Sequence, residues 1–170
     1  MRDVVGGRIW GVALVALLLT VPQVLATPSA LAASSATVHL RFTKNVRGAM
    51  TKSTVAPRCL RDSSGTRIIN LSGKIGSNEY VVMIYARGPQ TVGQFPIQPD
   101  PQNAAAVTVQ KVGTASSPEA TFYVATGGSV ALRTATAGSL TADLLTGGQN
   151  RLPLHVTGTW RCTAVRQTKS

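Results

Sequence analysis

Carboxylates, histidines and aromatic residues are all scarce in this 170-residue chain. It has six Asp and Glu against 17 Lys and Arg, two His, and 5% aromatic residues. General acid–base catalysis requires carboxylate or imidazole groups within hydrogen-bonding reach of the substrate, and the few acidic residues form no local pattern that would supply them. The sequence therefore predicts a protein that is not an enzyme and has no catalytic residue, metal site or cofactor.

Several motifs that carry chemistry are also absent. The chain has no Gly-x-Ser-x-Gly or Ser-x-x-Lys motif for a serine nucleophile, and no Gly-rich loop ending in Gly-Lys-Ser/Thr for a nucleotide phosphate. The two histidines, His39 and His155, lie near opposite ends of the mature chain. They would bind a metal only if the first and last strands paired and a third ligand lay nearby. A secreted enzyme is therefore the least favoured of three functional alternatives.

The N-terminal 32 residues have the pattern of a cleavable signal peptide. Arg2 and Arg8 precede an uncharged apolar run over residues 9–21, and Ala30-Leu31-Ala32 fits the small-x-small rule for cleavage. A membrane-spanning helix needs about 20 apolar residues, and at least about 17, so the run is short for an anchor. The prediction is a secreted or cell-surface protein with no stable membrane span after cleavage.

Two alternatives remain open at this N-terminus. Val24-Leu25-Ala26 is a second candidate cleavage site, and the segment could instead be retained as an anchor. Residues 25–36 contain no cysteine that could carry a lipid. Cleavage removes two basic residues and one acidic residue, which leaves 15 basic and 5 acidic residues in one mature domain, 33–170.

The only two cysteines, Cys59 and Cys162, are expected to form one disulfide. Disulfides persist in oxidising compartments, and an even cysteine count in an exported chain favours pairing. The alternative is two free buried thiols. The cysteines are too few and too far apart for a zinc site or a Cys-x-x-Cys redox pair.

The mature chain is predicted to be all-β. No segment shows a sustained helical period, whereas apolar residues alternate with polar ones between Gly-rich and Pro-rich turns. Eight or nine short strands favour a sandwich or a barrel, and the prediction is an antiparallel β-sandwich. The eight clearest strands are 37–42, 67–75, 79–86, 107–112, 120–126, 129–135, 139–145 and 152–163; a strand at 48–55 and a short edge strand at 94–98 are weaker candidates. Residues 57–65 are expected to form a polar loop that holds Cys59.

Basic residues are the strongest compositional signal. Between residues 41 and 67 seven Lys or Arg face only one acidic residue, Asp62. Such a patch attracts polyanions through counterion release. No exposed aromatic residue in this stretch offers a stacking platform, so no specific nucleic-acid motif is present. The hypothesis is one continuous basic face formed by Arg41, Arg58, Arg61 and Arg161.

Three motifs in the second half carry a resemblance. They are Tyr85-x-x-Gly88-Pro89-Gln90-Thr91, the pair of Gly-Ser strand starts at 128–130 and 138–142, and the final strand 156–162 with its Gly-Thr-Trp-Arg-Cys sequence. Their order resembles small uncharacterised exported proteins and lipoproteins of high-GC bacteria, which have a Gly-Pro-x-Thr turn and a terminal Gly-x-Trp-x-Cys strand. The resemblance implies a β-sandwich with one disulfide and no catalytic activity. Gln90 replaces the second Gly of the Gly-Pro-Gly-Thr-Tyr-like turn that the group carries, and the lipid-carrying cysteine is missing, so membrane tethering does not carry over.

The leading function is an exported, non-enzymatic cell-surface or extracellular module that binds a partner or has a structural part. The alternative is a polyanion-binding protein that uses the basic face, with an anionic cell-envelope polymer as the candidate partner.

Overall fold

A computed structural model describes residues 36–88, 92–98, 104–114, 119–163 and 165–167. The expected signal peptide lies outside these residues. The described part contains eleven β-strands and no helix, which confirms the all-β class. The strands are β1 (Thr37–Lys44), β2 (Gly48–Met50), β3 (Ser53–Arg61), β4 (Arg67–Ile75), β5 (Asn78–Arg87), β6 (Gly93–Pro96), β7 (Ala104–Lys111), β8 (Thr121–Leu132), β9 (Ala137–Thr146), β10 (Pro153–Arg161) and β11 (Val165–Gln167).

All the strands belong to one sheet. Its order is β11-β3-β4-β5-β7-β8-β9-β10-β1-β2, and β6 pairs with the C-terminal part of β8. The named strands pair antiparallel except β11, which runs parallel to β3. A sandwich of two sheets is not confirmed, because a single hydrogen-bonded path connects every strand.

This sheet curls until it nearly closes into a barrel. At one end of the path β2 pairs with β1 and leads, after two residues, into β3. At the other end β11 follows shortly after β10 and pairs with β3. The side chain of Met50 on β2 also packs against Gly73 on β4, where an added Cβ would lie 2.6 Å from Met50 Cγ. Strands from the two ends of the path therefore meet along one seam.

The interior of this curled sheet is filled with apolar side chains. Along β4, for example, Ile69, Leu71 and Ile75 are buried and alternate with partly exposed or exposed residues, as expected for a strand with one buried face. The rings of Phe42 on β1 and Tyr80 on β5 lie 6.0 Å apart across the interior. Side chains from distant parts of the path thus touch, which leaves a packed core rather than an open channel.

The expected disulfide is confirmed. Cys59 on β3 bonds to Cys162, the residue after β10, with an S–S distance of 2.04 Å and a Cα–Cα distance of 5.8 Å. Both residues are buried, at 4% and 0% exposure. Because β3 and β10 lie far apart in the sheet order, the bond joins the two sides of the seam at one end of the molecule. We call this the disulfide end.

The expected strand at 48–55 is divided into β2 and the start of β3. Two further local predictions were wrong, and each misjudged a residue type that interrupts regular strand pairing. The expected loop at 57–65 is occupied by β3 up to Arg61, and Pro57 falls within an irregularity of the β3–β4 register between Val55 and Arg58. Proline is tolerated at such a bulge because the ladder hydrogen bond is already interrupted there.

The second error concerns a pair of glycines. Residues 120–126 and 129–135 were expected to be separate strands, with a turn at Gly127-Gly128. They form the single strand β8, with a bulge between Ala125 and Gly127. Gly128 has φ +116°, and an added Cβ would lie 2.0 Å from the Thr141 carbonyl oxygen. Glycine therefore permits a close approach within the sheet here instead of a reversal.

Candidate anion-binding surface

Three of the four arginines of the hypothesised basic face, Arg41, Arg58 and Arg161, are exposed on the outer surface of the sheet. Arg41 on β1 and Arg161 on β10 are both exposed, and each is flanked by buried neighbours. Thr37 lies opposite Arg161 in the register of these two strands, so the two arginines are four strand positions apart. At about 3.3 Å per residue this is roughly 13 Å along the outer surface of one strand pair.

Arg58 joins this outer surface across the disulfide. It precedes Cys59, as Arg161 precedes Cys162, and both arginines are exposed. Consecutive Cα atoms are about 3.8 Å apart, so the 5.8 Å between the bridged cysteines limits the Arg58–Arg161 Cα separation to about 13 Å. The bond therefore holds two cations from distant parts of the sequence on neighbouring outer positions.

Arg61 does not share that outer surface. It lies two residues after Cys59, so it has the inward parity of the buried cysteine, and it is only half-exposed. Its partner in the β3–β4 register is Arg67, which is buried at 7% exposure. Three of the four arginines therefore share the outward parity and Arg61 does not; its guanidinium reaches the turn between β3 and β4, where an added Cβ on Gly65 would lie 3.7 Å from its Nη2.

A groove with several basic residues lies at the C-terminal end of β1, away from the disulfide end. It is an open cavity of about 670 Å³ whose lining includes Arg41, Lys44 and Arg47. Gly48 and Ala49 on β2 form the other side of the groove, and Ala49 lies opposite Arg41 in the β1–β2 register. These small residues leave the space open, whereas a bulky side chain in their place would fill it. Sequence reasoning had counted Lys44 and Arg47 among the basic residues, but it could not place them beside Arg41.

Lys44 is the last residue of β1, and its backbone conformation and hydrogen bonds fix the position of its side chain. It has φ +74°, a left-handed conformation that is uncommon outside glycine. Its Nζ donates a hydrogen bond of 2.9 Å to Asp143 Oδ1, and its carbonyl oxygen accepts one of 3.4 Å from Arg47 Nε. His155 Nδ1 lies 2.9 Å from the same Asp143 oxygen.

Asp143 balances part of this charge. The hydrogen bond from Lys44, followed by that from His155, lowers the pKa of the Asp143 carboxyl below its usual range. Within the described ranges Asp143 forms the only ion pairs, to Lys44 and His155. Neither Arg41 nor Arg47 is paired with a described carboxylate. The Arg41 guanidinium and the Arg47 donors other than Nε can therefore contact an anion in the groove.

The two histidines do not form a metal site. β1 and β10 pair, as the alternative required, but His39 lies opposite Thr159 and His155 opposite Thr43. The imidazoles are thus four positions apart, roughly 13 Å along the strands. No cluster of three His, Cys, Asp or Glu suited to a metal ion occurs among the residues that the structure describes.

None of the segments described here is a helix with the length and apolarity needed to cross a membrane. Comparison with protein-family models, with curated proteins and with solved structures found no match.

Proposed function

We propose that this chain is an exported, non-enzymatic module that binds an anionic cell-envelope polymer on the outer surface around β1 and β2. The observation that carries the proposal is the groove in which Arg41 and Arg47 stand without a described carboxylate partner. A repeating anion can neutralise such side chains one after another along its length, and each contact releases a counterion.

The other outward arginines extend this surface. Arg161 lies on the same strand pair as Arg41, and Arg58 lies beside it across the disulfide. A linear polymer lying along β1 would meet cations at both ends of the strand. The net charge of +11 for the full chain favours attraction of polyanions over a long range, with a strength that falls as salt rises.

Export is part of the same proposal. A disulfide is typical of proteins in oxidising compartments outside the cytoplasm, and the Cys59–Cys162 bond is compatible with that location. The signal-peptide pattern of the first 32 residues supports it further. Membership of the group of exported proteins that the C-terminal motifs resemble stays a prediction.

The test is the salt dependence of binding to a phosphodiester polymer. A labelled oligothymidylate serves as the probe, and fluorescence anisotropy is measured between 20 and 200 mM NaCl, conditions chosen within the range where such contacts lose affinity steeply. We expect the logarithm of the association constant to fall linearly with the logarithm of the salt concentration. The slope should be about 0.7 for each neutralised phosphate, the value for single strands.

Two paired variants make the test specific. Arg41→Gln/Arg47→Gln removes two groove cations and should reduce the slope by about 1.4. Arg87→Gln/Lys111→Gln removes the same charge from β5 and β7, strands that pair with neither β1 nor β2, and should leave the slope nearly unchanged. Equal losses in the two variants would show that net charge, and not the groove, determines binding. Absence of binding to both this probe and heparin at 20 mM salt would refute the proposed function.

A further inference from the structure

Short side chains on β7 open a trough in the outer surface near the disulfide end. Arg87 on β5 lies opposite Ala104 on β7, and Tyr85 lies opposite Ala106 two positions along. All four residues have the outward parity, since the intervening residue of each strand belongs to the buried core. Two alanine methyl groups therefore stand beside a phenol and a guanidinium, and the space above β7 stays open.

The trough has polar side chains on both sides. On the β5 side Thr66, which precedes β4, lies next to Arg87, because the β4–β5 register begins one residue later. On the other side of β7 a bridge between Ile97 and Ala105 brings Gln98 to the trough. The cavity between these walls has a volume of about 230 Å³. Pockets for drug-sized ligands have roughly 300 to 1,000 Å³, so this cavity suits a ligand with a single ring.

Arg87 supplies the charge of the trough. Its side chain is exposed, and no carboxylate among the described residues forms an ion pair with it. Asp62 lies near Thr66, but its Oδ1 accepts hydrogen bonds from Ser64 Oγ at 2.7 Å and from the Thr66 backbone N–H at 2.8 Å. These contacts hold the Asp62 carboxylate in the turn between β3 and β4. The fork of N–H donors on Arg87 therefore remains for an anion that enters the trough.

Tyr85 supplies an aromatic wall. Its hydroxyl oxygen lies 4.0 Å from the sulfur of Met83, the preceding outward residue of β5, so the ring leans along its own strand and away from Arg87. Its neighbour on the β7 side is Ala106, whose methyl group leaves ring surface uncovered. Aromatic rings attract one another in offset-stacked and edge-to-face arrangements. The trough thus places a surface that suits a second ring next to a cation.

The charge of the lining matches a carboxylate better than a phosphate dianion. Arg87 is the one charged residue of the lining, and Thr66 and Gln98 add a hydroxyl group and an amide without charge. A single guanidinium forms two parallel hydrogen bonds with the two oxygens of a carboxylate. A dianion would keep one negative charge without an opposite charge beside it, which is unfavourable once water is displaced.

We propose that this trough binds a small aromatic monocarboxylate, with the carboxylate on Arg87 and the ring against Tyr85 above Ala106. The Thr66 hydroxyl and the Gln98 amide can donate hydrogen bonds to the lone pairs that Arg87 leaves on the carboxylate or to a ring substituent. The site is separate from the polymer-binding groove, because β5 and β7 pair with neither β1 nor β2. Binding at the trough therefore does not depend on binding of a polymer.

The probe is benzoate, and the readout is the movement of backbone amide signals in proton–nitrogen NMR spectra of the mature chain at neutral pH and constant ionic strength. We expect saturable shifts at residues 66–68, 85–87 and 104–106, and none at residues 41–49 of the groove. The dissociation constant should be about 1 mM, which a ligand of this size reaches at ordinary efficiency. Benzamide has the same shape without the charge, so it should bind at least about tenfold more weakly. Glucuronate carries its carboxylate on a saturated sugar ring, and tighter binding of glucuronate than of benzoate would overturn the aromatic assignment.

Two pairs of variants test the charge and the space separately. Arg87→Gln should weaken benzoate binding at least about tenfold, whereas Arg133→Gln, which removes an exposed arginine after β8, should leave it unchanged. Ala106→Leu fills the trough and removes no polar group, so it should abolish the shifts. Thr108→Leu adds bulk to the same face of β7 outside the lining and should keep them.

These positions are on the outer surface, so each variant should melt close to the wild type. Three results would overturn the proposal. They are the absence of shifts in the wild-type protein at about ten times the expected dissociation constant, equal affinity for benzoate and benzamide, and full benzoate binding by Ala106→Leu.

Discussion

Loss of the Cys59–Cys162 bond is the perturbation with the largest expected effect on stability. The two cysteines are 103 residues apart in sequence. Closing a loop of about 100 residues in the unfolded chain is worth about 4.7 kcal/mol in the chain-entropy account of disulfides. For a domain of this size the loss corresponds to a fall in melting temperature of roughly 10 to 20 °C.

The comparison should use the wild-type protein refolded with and without a reductant, because both buried side chains are then retained. Circular dichroism follows the melting of the two forms. Cys59→Ala/Cys162→Ala serves as the control and should melt at one temperature whether or not reductant is present. A reduced wild-type protein that melts within about 3 °C of the oxidised form would refute the reasoning, since pairing of β11 with β3 and the packed core would then hold the seam alone.

Three further predictions concern single features. Gly158→Ala should destabilise the fold by at least about 2 kcal/mol in urea unfolding, because Gly158 has φ +149° and an added Cβ would lie 2.0 Å from the His39 carbonyl oxygen; Gly147→Ala, where a Cβ meets nothing within 4 Å, should cost less than about 0.5 kcal/mol. Because the folded pKa of Asp143 is lowered, its stabilising effect should be complete above the ordinary value of 3.8 and fade as the pH falls through the folded pKa. The wild type should thus exceed Asp143→Asn by less than about 1 kcal/mol at pH 6, since the pair is half-exposed, and the difference should vanish at the acidic end of a pH series. The intact mass of the exported protein should correspond to cleavage near Ala32, and a mass that retains the apolar run would show that the segment is an anchor.

Strong alternation of apolar and polar residues made parts of the fold predictable from the sequence. The expected strand at 67–75 coincides with β4, and the expected final strand at 152–163 contains β10. From Ile69 in the first strand and from Leu152 in the second, every second residue is apolar or small, and only one register places that set inside. The inward position of Cys162 beside Trp160 was read from the same parity, and both residues are buried.

Positions that break a local rule were not predictable in this way. Pro57 and Gly127-Gly128 suggest a loop and a turn when read alone, yet both lie within strands because bulges absorb them. Whether a bulge forms depends on the partner strand, which is β4 for Pro57 and β9 for the two glycines. The strand count of eight or nine fell short for a different reason: the expected strand at 48–55 is divided between β2 and β3, and β11 was not expected. The curled sheet was taken for a sandwich because the pairing of β2 with β1 and of β11 with β3 leaves no signal in local alternation.

The candidate sites were only partly predictable for a related reason. The sequence shows where positive charge is concentrated, and it identified Arg41 and Arg161 as outward residues, whereas it placed Arg58 in a loop beside Cys59. It could not show that Arg61 is paired with Arg67, because that depends on the β3–β4 register. The opening beside Arg41 likewise depends on Ala49 lying opposite it.

The pairing of β1 with β10 also has a consequence for the order of folding. β1 begins at Thr37 and its neighbour β10 ends at Arg161, so most of the chain separates two strands that share a full ladder. Contacts of such high sequence separation form slowly, because a long loop must be closed before they contribute. During synthesis the chain cannot complete its sheet until nearly all of it has emerged. The hairpins formed by neighbouring strands, such as β4–β5 and β8–β9, can pair earlier, so the β1–β10 ladder is expected to be among the last parts of the sheet to form.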